Sequence, residues 1–229
     1  MSFNPANFTA PKAKPLPVIL LLDKSGSMGG EPIQLLNQAV HEMIEDFSKG
    51  SGEVEIQVAI ITFGAEVKLY QPLARVADIE WRDLSVDGAT PMGTAIKMAK
   101  AMLEDKDVIP SRAYRPLVVL VSDGGPTDEW QAPLKDFIST GRSAKCDRMA
   151  MAIGSNADES VLKQFIAGTE YSLFYAENAK KIREFFKFVT MSVTVRTKSQ
   201  DPNVIPKNSD SGIVNMASST SDDDDDDYL

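Results

Sequence analysis

The chain has one cysteine, Cys146, and one histidine, His41, among its 229 residues. A lone cysteine excludes an internal disulfide framework and is typical of proteins from a reducing compartment. We expect Cys146 to be a small buried or half-buried thiol, because no catalytic cysteine signature surrounds it. We expect His41 to lie on the surface of the first helix, which leaves no histidine for a catalytic triad. The two tryptophans, Trp81 and Trp130, are interpreted as packing residues.

Long apolar runs are also absent. No unbroken run of large apolar residues is longer than residues 18–22, whereas a transmembrane helix needs roughly 20 such residues. The first residues, MSFNPANFTAPKAKPLP, contain no apolar region of signal-peptide length. The sequence therefore predicts a cytoplasmic protein without a membrane-spanning segment.

The net charge is −9, and six of the negative charges belong to consecutive aspartates at 222–227. The rest of the chain therefore carries only −3, and it has no basic stripe that would indicate a nucleic-acid partner. Residues 198–229 are rich in Ser, Asn, Asp and Pro, and they cannot bury enough apolar surface to offset the entropy of ordering. We expect a polar, disordered acidic tail in that region.

Between the two ends of the chain, apolar runs alternate with helical periodicity. The predicted strands are at 18–22, 54–63, 67–70, 117–122, 149–153 and 173–175. The predicted helices begin near residue 32 and then occupy 93–104, 130–144, 161–166 and 182–189. This alternation predicts an α/β protein with a doubly wound, mostly parallel sheet and helices on both faces. We place this domain at residues 16–197, after an extended segment at 1–15, and expect 67–70 to be an antiparallel edge strand.

Polar residues follow two of the buried strands directly. Asp23, Ser25 and Ser27 follow the first strand, and Asp123 follows the strand at 117–122. In doubly wound sheets, ligands bind beyond the carboxyl ends of the strands, where the strand order reverses. We therefore expect these two loops to meet, and Thr90, in the loop before the second helix, can bring a third hydroxyl to the same place.

Two carboxylates at neighbouring strand ends repel each other unless a positive charge lies between them, and a divalent cation is the simplest remedy. The surrounding donors are all oxygens, which favours Mg²⁺, with Mn²⁺ or Ca²⁺ as further candidates. No cysteine or histidine lies near in sequence, which disfavours zinc. The Asp-x-Ser-x-Ser pattern alone is more often a turn or a helix cap, but the match of three separate loops favours the cation site. Such a site leaves an open coordination position for a carboxylate of a partner protein.

Three segments carry a family resemblance: LLLDKSGSM at 20–28, GATPMGTAI at 88–96 and VSDGGPTDEW at 121–130. They resemble the three parts of the metal-ion-dependent adhesion site of von Willebrand factor A domains. The resemblance implies a Rossmann-like sheet of six strands, a protein-binding function without enzymatic activity, and a metal held by the residues at Asp23, Ser25, Ser27, Thr90 and Asp123. The chain is also similar to bacterial tellurite-resistance Y-type (TerY-like) proteins, which implies a role in stress or phage defence beside kinase and phosphatase partners.

Two alternatives remain open. The first is a Mg²⁺-dependent phosphatase of the haloacid-dehalogenase kind, with Asp23 as nucleophile and Asp123 and Asp128 as metal ligands. That chemistry requires a second acid two residues after the nucleophile, where this chain has Ser25. The second is a scaffold whose site stays empty and whose acidic tail binds a basic partner, competes with nucleic acid or folds back to the metal.

We interpret Asp128 as the N-cap of a helix that begins near residue 130.

Overall fold

One six-stranded sheet forms the centre of the computed structural model, which describes residues 13–49 and 54–204. The strands lie in the order β3-β2-β1-β4-β5-β6. Neighbouring strands are parallel except for β2 and β3, which form an antiparallel hairpin at one edge. The predicted α/β class, the six strands and the antiparallel edge strand are therefore confirmed. The strands are β1 Lys14–Asp23, β2 Val54–Phe63, β3 Val67–Arg75, β4 Leu117–Ser122, β5 Asp147–Ile153 and β6 Phe174–Ala176.

The strand order reverses between β1 and β4, which lie side by side in the middle of the sheet. Every residue of β1 after Lys14 is buried, because helices cover both faces of the sheet. Asp23 is the last residue of β1, and Ser122 is the last residue of β4. The carboxyl ends of these two strands therefore open the crevice in which doubly wound proteins bind their ligands.

Five helices form the two outer layers. Helices α1 and α5 pack on one face of the sheet, and α2, α3 and α4 pack on the other. Each helix presents apolar residues at three- and four-residue spacing to the sheet, which produces one continuous core on each face. The helices are α1 Glu31–Lys49, α2 Met92–Glu104, α3 Gln131–Ser139, α4 Glu159–Ile166 and α5 Ala179–Lys198.

Several element boundaries differ from the predictions. Strand β3 continues through Pro72 to Arg75, because an edge strand tolerates a residue without a backbone N–H. Helix α3 ends at Ser139 rather than at residue 144, because Gly141 has a φ of 68°, a left-handed conformation that no α-helix contains. A short 3-10 turn, Ser143–Lys145, replaces the last predicted helical turn.

The limits of the domain stay a prediction, although β1 begins at Lys14 and α5 ends at Lys198. Residues 199–204 remain attached to the domain after α5. The Arg196 Nε donates to the carbonyl of Pro202 at 2.8 Å, and the amide of Arg115 donates to Asn203 Oδ1 at 2.8 Å. The predictions for residues 1–12 and 205–229 lie outside the described residues.

The residues that were assigned packing or surface roles lie where they were expected. Cys146 is buried, and this burial raises the pKa of its thiol to about 12. His41 lies on the exposed side of α1, 3.0 Å from Glu45. Trp81 and Trp130 are half-buried and pack against the two hydrophobic cores. Within residues 13–49 and 54–204, no helix is long and apolar enough to cross a membrane.

Candidate functional site

The Asp23 carboxylate is fully buried at the junction of β1 and β4. Its Oδ1 accepts a hydrogen bond of 2.8 Å from the amide of Ser25, which turns the chain tightly after the strand. Its Oδ2 accepts a hydrogen bond from the hydroxyl of Ser122, at the end of the neighbouring strand. The Asp23 carboxylate therefore links the carboxyl ends of the two central strands.

The two serines after Asp23 continue this network toward Asp123. The hydroxyl oxygens of Ser25 and Ser27 are 3.1 Å apart, and the Ser27 hydroxyl donates to Asp123 Oδ1 at 2.8 Å. Ser25 and Asp123 are buried, whereas Ser27 is exposed. Four of the five predicted site residues thus form one hydrogen-bonded line that begins in the sheet and reaches the solvent.

Thr90, the fifth predicted residue, approaches this line from the loop before α2. A Cβ atom placed on Gly124 would lie 3.9 Å from Thr90 Oγ1 and 4.0 Å from Ser27 Oγ, so both hydroxyls face the same point. Among the described residues, no hydrogen bond joins the Thr90 hydroxyl to the other four side chains. The backbone of Thr90 is fixed by Thr127, whose hydroxyl accepts from the Thr90 amide at 3.0 Å and whose amide donates to the Thr90 carbonyl at 2.9 Å.

Asp128 is a helix cap, but the prediction that it caps the helix near residue 130 is wrong. Its carboxylate accepts hydrogen bonds from the amides of Gly93 and Thr94, at 2.9 and 2.8 Å, and from the Thr94 hydroxyl at 2.7 Å. These are the first-turn donors of α2, which lie more than thirty residues away in sequence. Gly93 allows this approach, since a Cβ there would lie 2.1 Å from the carbonyl oxygen of Glu129.

The first and second loops are held together by Lys24 and Asp87. The Lys24 ammonium forms an ion pair with Asp87 Oδ2, and Asp87 Oδ1 accepts from the amide of Ala65 at 2.8 Å. The hydrogen bonds from the Lys24 ammonium and the Ala65 amide lower the pKa of the Asp87 carboxyl. A backbone hydrogen bond of 3.0 Å between Gly26 and Gly88 joins the same two loops. Lys24 is therefore paired with Asp87 and does not neutralise the two carboxylates of the site.

Burial raises the pKa values of both site carboxyls, Asp23 and Asp123. At Asp23 the hydrogen bonds from Ser122 and Ser25 oppose this rise, and the charge of Asp123 adds to it. In the part of the chain that the structure describes, no group of three or more His, Cys, Asp or Glu side chains could hold a metal ion. The donors available here are two carboxylates and three hydroxyls, and this oxygen set with two negative charges fits a hard divalent cation.

Sequence reasoning missed three contributors to this site. Ser122 bonds the Asp23 carboxylate, and Thr127 and the Lys24–Asp87 pair hold the loops in place. The signal for Ser122 was a polar residue at the end of an otherwise apolar strand, LVVLVS. Nothing in the sequence pattern indicates the other two, because each joins loops that are far apart along the chain.

The model of the von Willebrand factor type A domain family matches residues 18–188. Among curated proteins, matrilin-3 from Gallus gallus is 24% identical over 194 residues, which cover 78% of this chain and 42% of that protein. The Homo sapiens collagen alpha-1(XXI) chain is 26% identical over 184 residues, which cover 77% of this chain and 18% of that protein. The chain therefore spans less than half the length of the curated relatives that it matches.

Two solved structures show the same fold. A von Willebrand factor type A structure from Catenulispora acidiphila has a TM-score of 0.62 and 18% identity, covering 79% of this chain and 42% of that chain. Mussel byssus proximal thread matrix protein 1, with a zinc-occupied MIDAS motif, has a TM-score of 0.58 and 17% identity, covering 78% of this chain and 48% of that chain. Together with the sheet order, these matches show that the chain belongs to the von Willebrand factor type A domain family, whose members typically mediate protein–protein interactions.

Proposed function

We propose that this domain binds one divalent cation through Asp23, Ser25, Ser27, Thr90 and Asp123, and that the cation bridges to a carboxylate of a partner protein. One observation carries the proposal: two buried carboxylates lie at adjacent strand ends, and the nearby Lys24 is paired elsewhere. A cation supplies the positive charge that such a pair requires.

The five residues have different parts in this proposal. Asp23 and Asp123 supply the negative charge, and the hydroxyls of Ser25, Ser27 and Thr90 supply neutral oxygens. Because only two charges face a doubly charged cation, the ion still attracts an acidic side chain from outside. Ser27 is the exposed member of the line, so the open position faces the solvent on its side. We propose Mg²⁺ as the resident ion, with Mn²⁺ or Ca²⁺ able to replace it.

The cellular setting follows from the family resemblance. We propose a cytoplasmic role in a bacterial tellurite-resistance, stress or phage-defence system, with a kinase or phosphatase of the same system as the acidic partner. Capture of partners from native cells, in Mg²⁺ buffer and after addition of a chelator, tests this setting. A partner retained equally in both buffers would contradict the cation bridge.

The phosphatase alternative receives little support from the geometry. That chemistry requires a second acid two residues after the nucleophile, and the structure places the Ser25 hydroxyl at this point, 3.1 Å from the Ser27 hydroxyl. We therefore propose that the protein is not an enzyme. A phosphate-release assay with Mg²⁺ separates the two functions, and turnover that disappears in Asp23→Asn would establish the phosphatase instead.

Thermal unfolding tests the cation site without any partner. A cation at ten times its Kd stabilises the native protein by about 1.4 kcal/mol, which raises the Tm of a domain of this size by about 3–6 °C. We expect this response in the wild type and its loss in Asp23→Ala. Asp107→Ala is the matched control, because the Asp107 side chain is exposed and forms no hydrogen bond or ion pair with a described residue.

The thermal unfolding measurements are repeated with Mg²⁺, Mn²⁺, Ca²⁺ and Zn²⁺. Zinc is included because a zinc-occupied MIDAS motif is reported for the mussel protein. Isothermal titration then ranks the affinities. A wild-type protein that responds to none of the four ions refutes the proposal. A response to Zn²⁺ that persists in Asp23→Ala indicates binding elsewhere on the surface.

A further inference from the structure

A basic groove of about 1480 Å³ lies at the edge of the sheet opposite the candidate cation site. It is bordered by Pro116 and Asp147, where β4 and β5 begin, whereas Asp23 and Asp123 lie where β1 and β4 end. Its acidic lining residues are Asp147 and Glu170. Its basic lining residues are Lys106, Arg115, Arg142, Lys145 and Arg148. The groove is therefore net positive in a chain whose total charge is −9.

Two of these basic side chains are committed to the fold. Arg148 is buried, and its guanidinium donates to the carbonyls of Phe165, Cys146 and Ala167 at 2.7, 3.1 and 2.7 Å. Arg115 lies 3.5 Å from the buried carboxylate of Asp147. Arg148 is therefore unavailable to a further ligand, and the charge of the exposed Arg115 is partly compensated by Asp147.

The remaining positive charge faces the groove. Lys106 and Lys145 are exposed, and neither forms an ion pair or a side-chain hydrogen bond with any residue in 13–49 or 54–204. Arg142 donates through Nη2 to the carbonyl of Ile109 at 2.7 Å, and its Nη1 is buried without a hydrogen-bond partner among the described residues, so Arg142 adds positive charge beside the groove. An acidic ligand that entered the groove would compensate the charges of both lysines.

Asp147 does not neutralise the groove, because its charge is already shared. Its Oδ1 lies 3.5 Å from Arg115 Nη1, and its Oδ2 lies 3.4 Å from Nη1 of Arg196, a buried arginine of α5. Both arginine charges lower the pKa of Asp147, in opposition to the larger effect of burial. One carboxylate therefore faces two guanidinium groups, which leaves the surroundings positive.

The described chain ends inside this groove. Val204 is 58% exposed and lines it, and Asn203 beside it is held by the amide of Arg115 at 2.8 Å. Six consecutive aspartates follow at 222–227, after 17 intervening residues. Such a connection reaches up to about 56 Å when extended, so the aspartates can return to the groove from which the chain departs.

We propose that the acidic segment 222–227 binds this groove within the same chain, with its carboxylates on the exposed ammonium groups of Lys106 and Lys145. The groove is positive and the segment is negative, which favours their association. At the other end of the strands, Asp23 and Asp123 repel the segment when no cation is bound. The short connection raises the effective concentration of the segment, so weak individual ion pairs are sufficient. An acidic partner would have to displace the segment to reach the groove.

Zero-length carbodiimide cross-linking of the full-length protein, read by mass spectrometry, tests this proposal because it joins carboxylates to nearby lysines. We expect the segment 222–227 to cross-link to Lys106 and Lys145 at least about fivefold more than to Lys97 and Lys135, which are exposed on α2 and α3. In 1 M salt, where the Debye length is about 3 Å, this preference should disappear.

A charge reversal tests whether the cross-links arise from electrostatic attraction to the groove or only from the proximity of the segment to these lysines. Lys145→Glu should reduce the cross-linking of Lys106, whereas the matched Lys135→Glu should leave it unchanged, and the Tm of each variant reports whether the fold is intact. A mixture of ¹⁴N- and ¹⁵N-labelled protein distinguishes contacts within one chain from contacts between copies. Equal yields at all four lysines, cross-links between copies only, or cross-links concentrated on Lys24 beside the cation site would each overturn the proposal.

Discussion

Replacing Asp128 by alanine should destabilise the domain more than its partly exposed position indicates. Three donors of Gly93 and Thr94 lose their acceptor, and the N-terminus of α2 loses a negative charge. Loss of a helix cap costs about 1 kcal/mol, and loss of a favourable charge at a helix N-terminus costs up to about 1 kcal/mol. Water can reach part of this region, so we expect the free energy of unfolding to fall by about 1.5–2 kcal/mol in Asp128→Ala.

Urea denaturation followed by circular dichroism at 25 °C measures this loss. We expect an unchanged m-value, because the surface exposed on unfolding stays the same. Asp128→Asn keeps an acceptor oxygen without the charge, so its loss should be about half as large. The control Asp107→Ala should change the free energy by less than about 0.5 kcal/mol. A loss below about 0.5 kcal/mol in Asp128→Ala, or an equal loss in the control, would refute the cap.

Three further predictions concern buried groups. Because burial raises the pKa values of Asp23 and Asp123, protons compete with the cation at a higher pH than they would at exposed aspartates, and the Mg²⁺-induced rise in Tm should shrink as the pH is lowered from neutrality in calorimetric scans. Without metal the sign is opposite: carboxyls with raised pKa values stabilise the fold at acidic pH and lose this contribution as the pH rises through the folded-state pKa. Asp23→Asn should therefore raise the Tm of the metal-free protein at neutral pH while it abolishes the Mg²⁺ response; a lower Tm without metal would contradict the electrostatic argument. The buried Cys146 thiol, whose pKa is about 12, should react with iodoacetamide only when the domain opens, so its labelling should be slow in buffer and complete in denaturant; rapid labelling of the native protein would show an accessible thiol.

The sequence predicted the sheet well because its central strands are uniformly apolar. Strands β2 and β4 have the predicted bounds, and runs such as LVVLVS are typical of a sheet covered on both faces. Strand β1 begins at Lys14 but was predicted only at 18–22, because Pro15 and Pro17 interrupt its apolar pattern. The edge strand β3 was predicted too short, because Pro72 interrupts the apolar pattern without interrupting the edge of the sheet. Local pattern therefore identifies the strands but shortens those that contain proline.

The sequence indicated which polar residues meet at this end of the sheet, but not the contacts that hold them there. Four polar residues directly follow buried strands in the sequence, and the structure places them in one hydrogen-bonded line: Asp23, Ser25, Ser27 and Asp123. The cap that Asp128 provides for α2 was assigned to the wrong helix, since spacing along the chain indicates only local partners. Contacts between loops depend on the tertiary fold, and the residue pattern within one loop does not predict them.

The hydrogen bonds between the three loops have a further consequence for binding. Gly26 is joined to Gly88, and Thr90 is joined to Thr127, by hydrogen bonds between the loops themselves. The conformational entropy of ordering these loops is therefore lost when the domain folds, and little remains to be lost when a ligand arrives. A preorganised site of this kind gains its ligand with a small change in heat capacity and without rearrangement of the backbone, so association at this edge of the sheet should be fast, and differences in affinity among loop variants should arise mainly from dissociation rates.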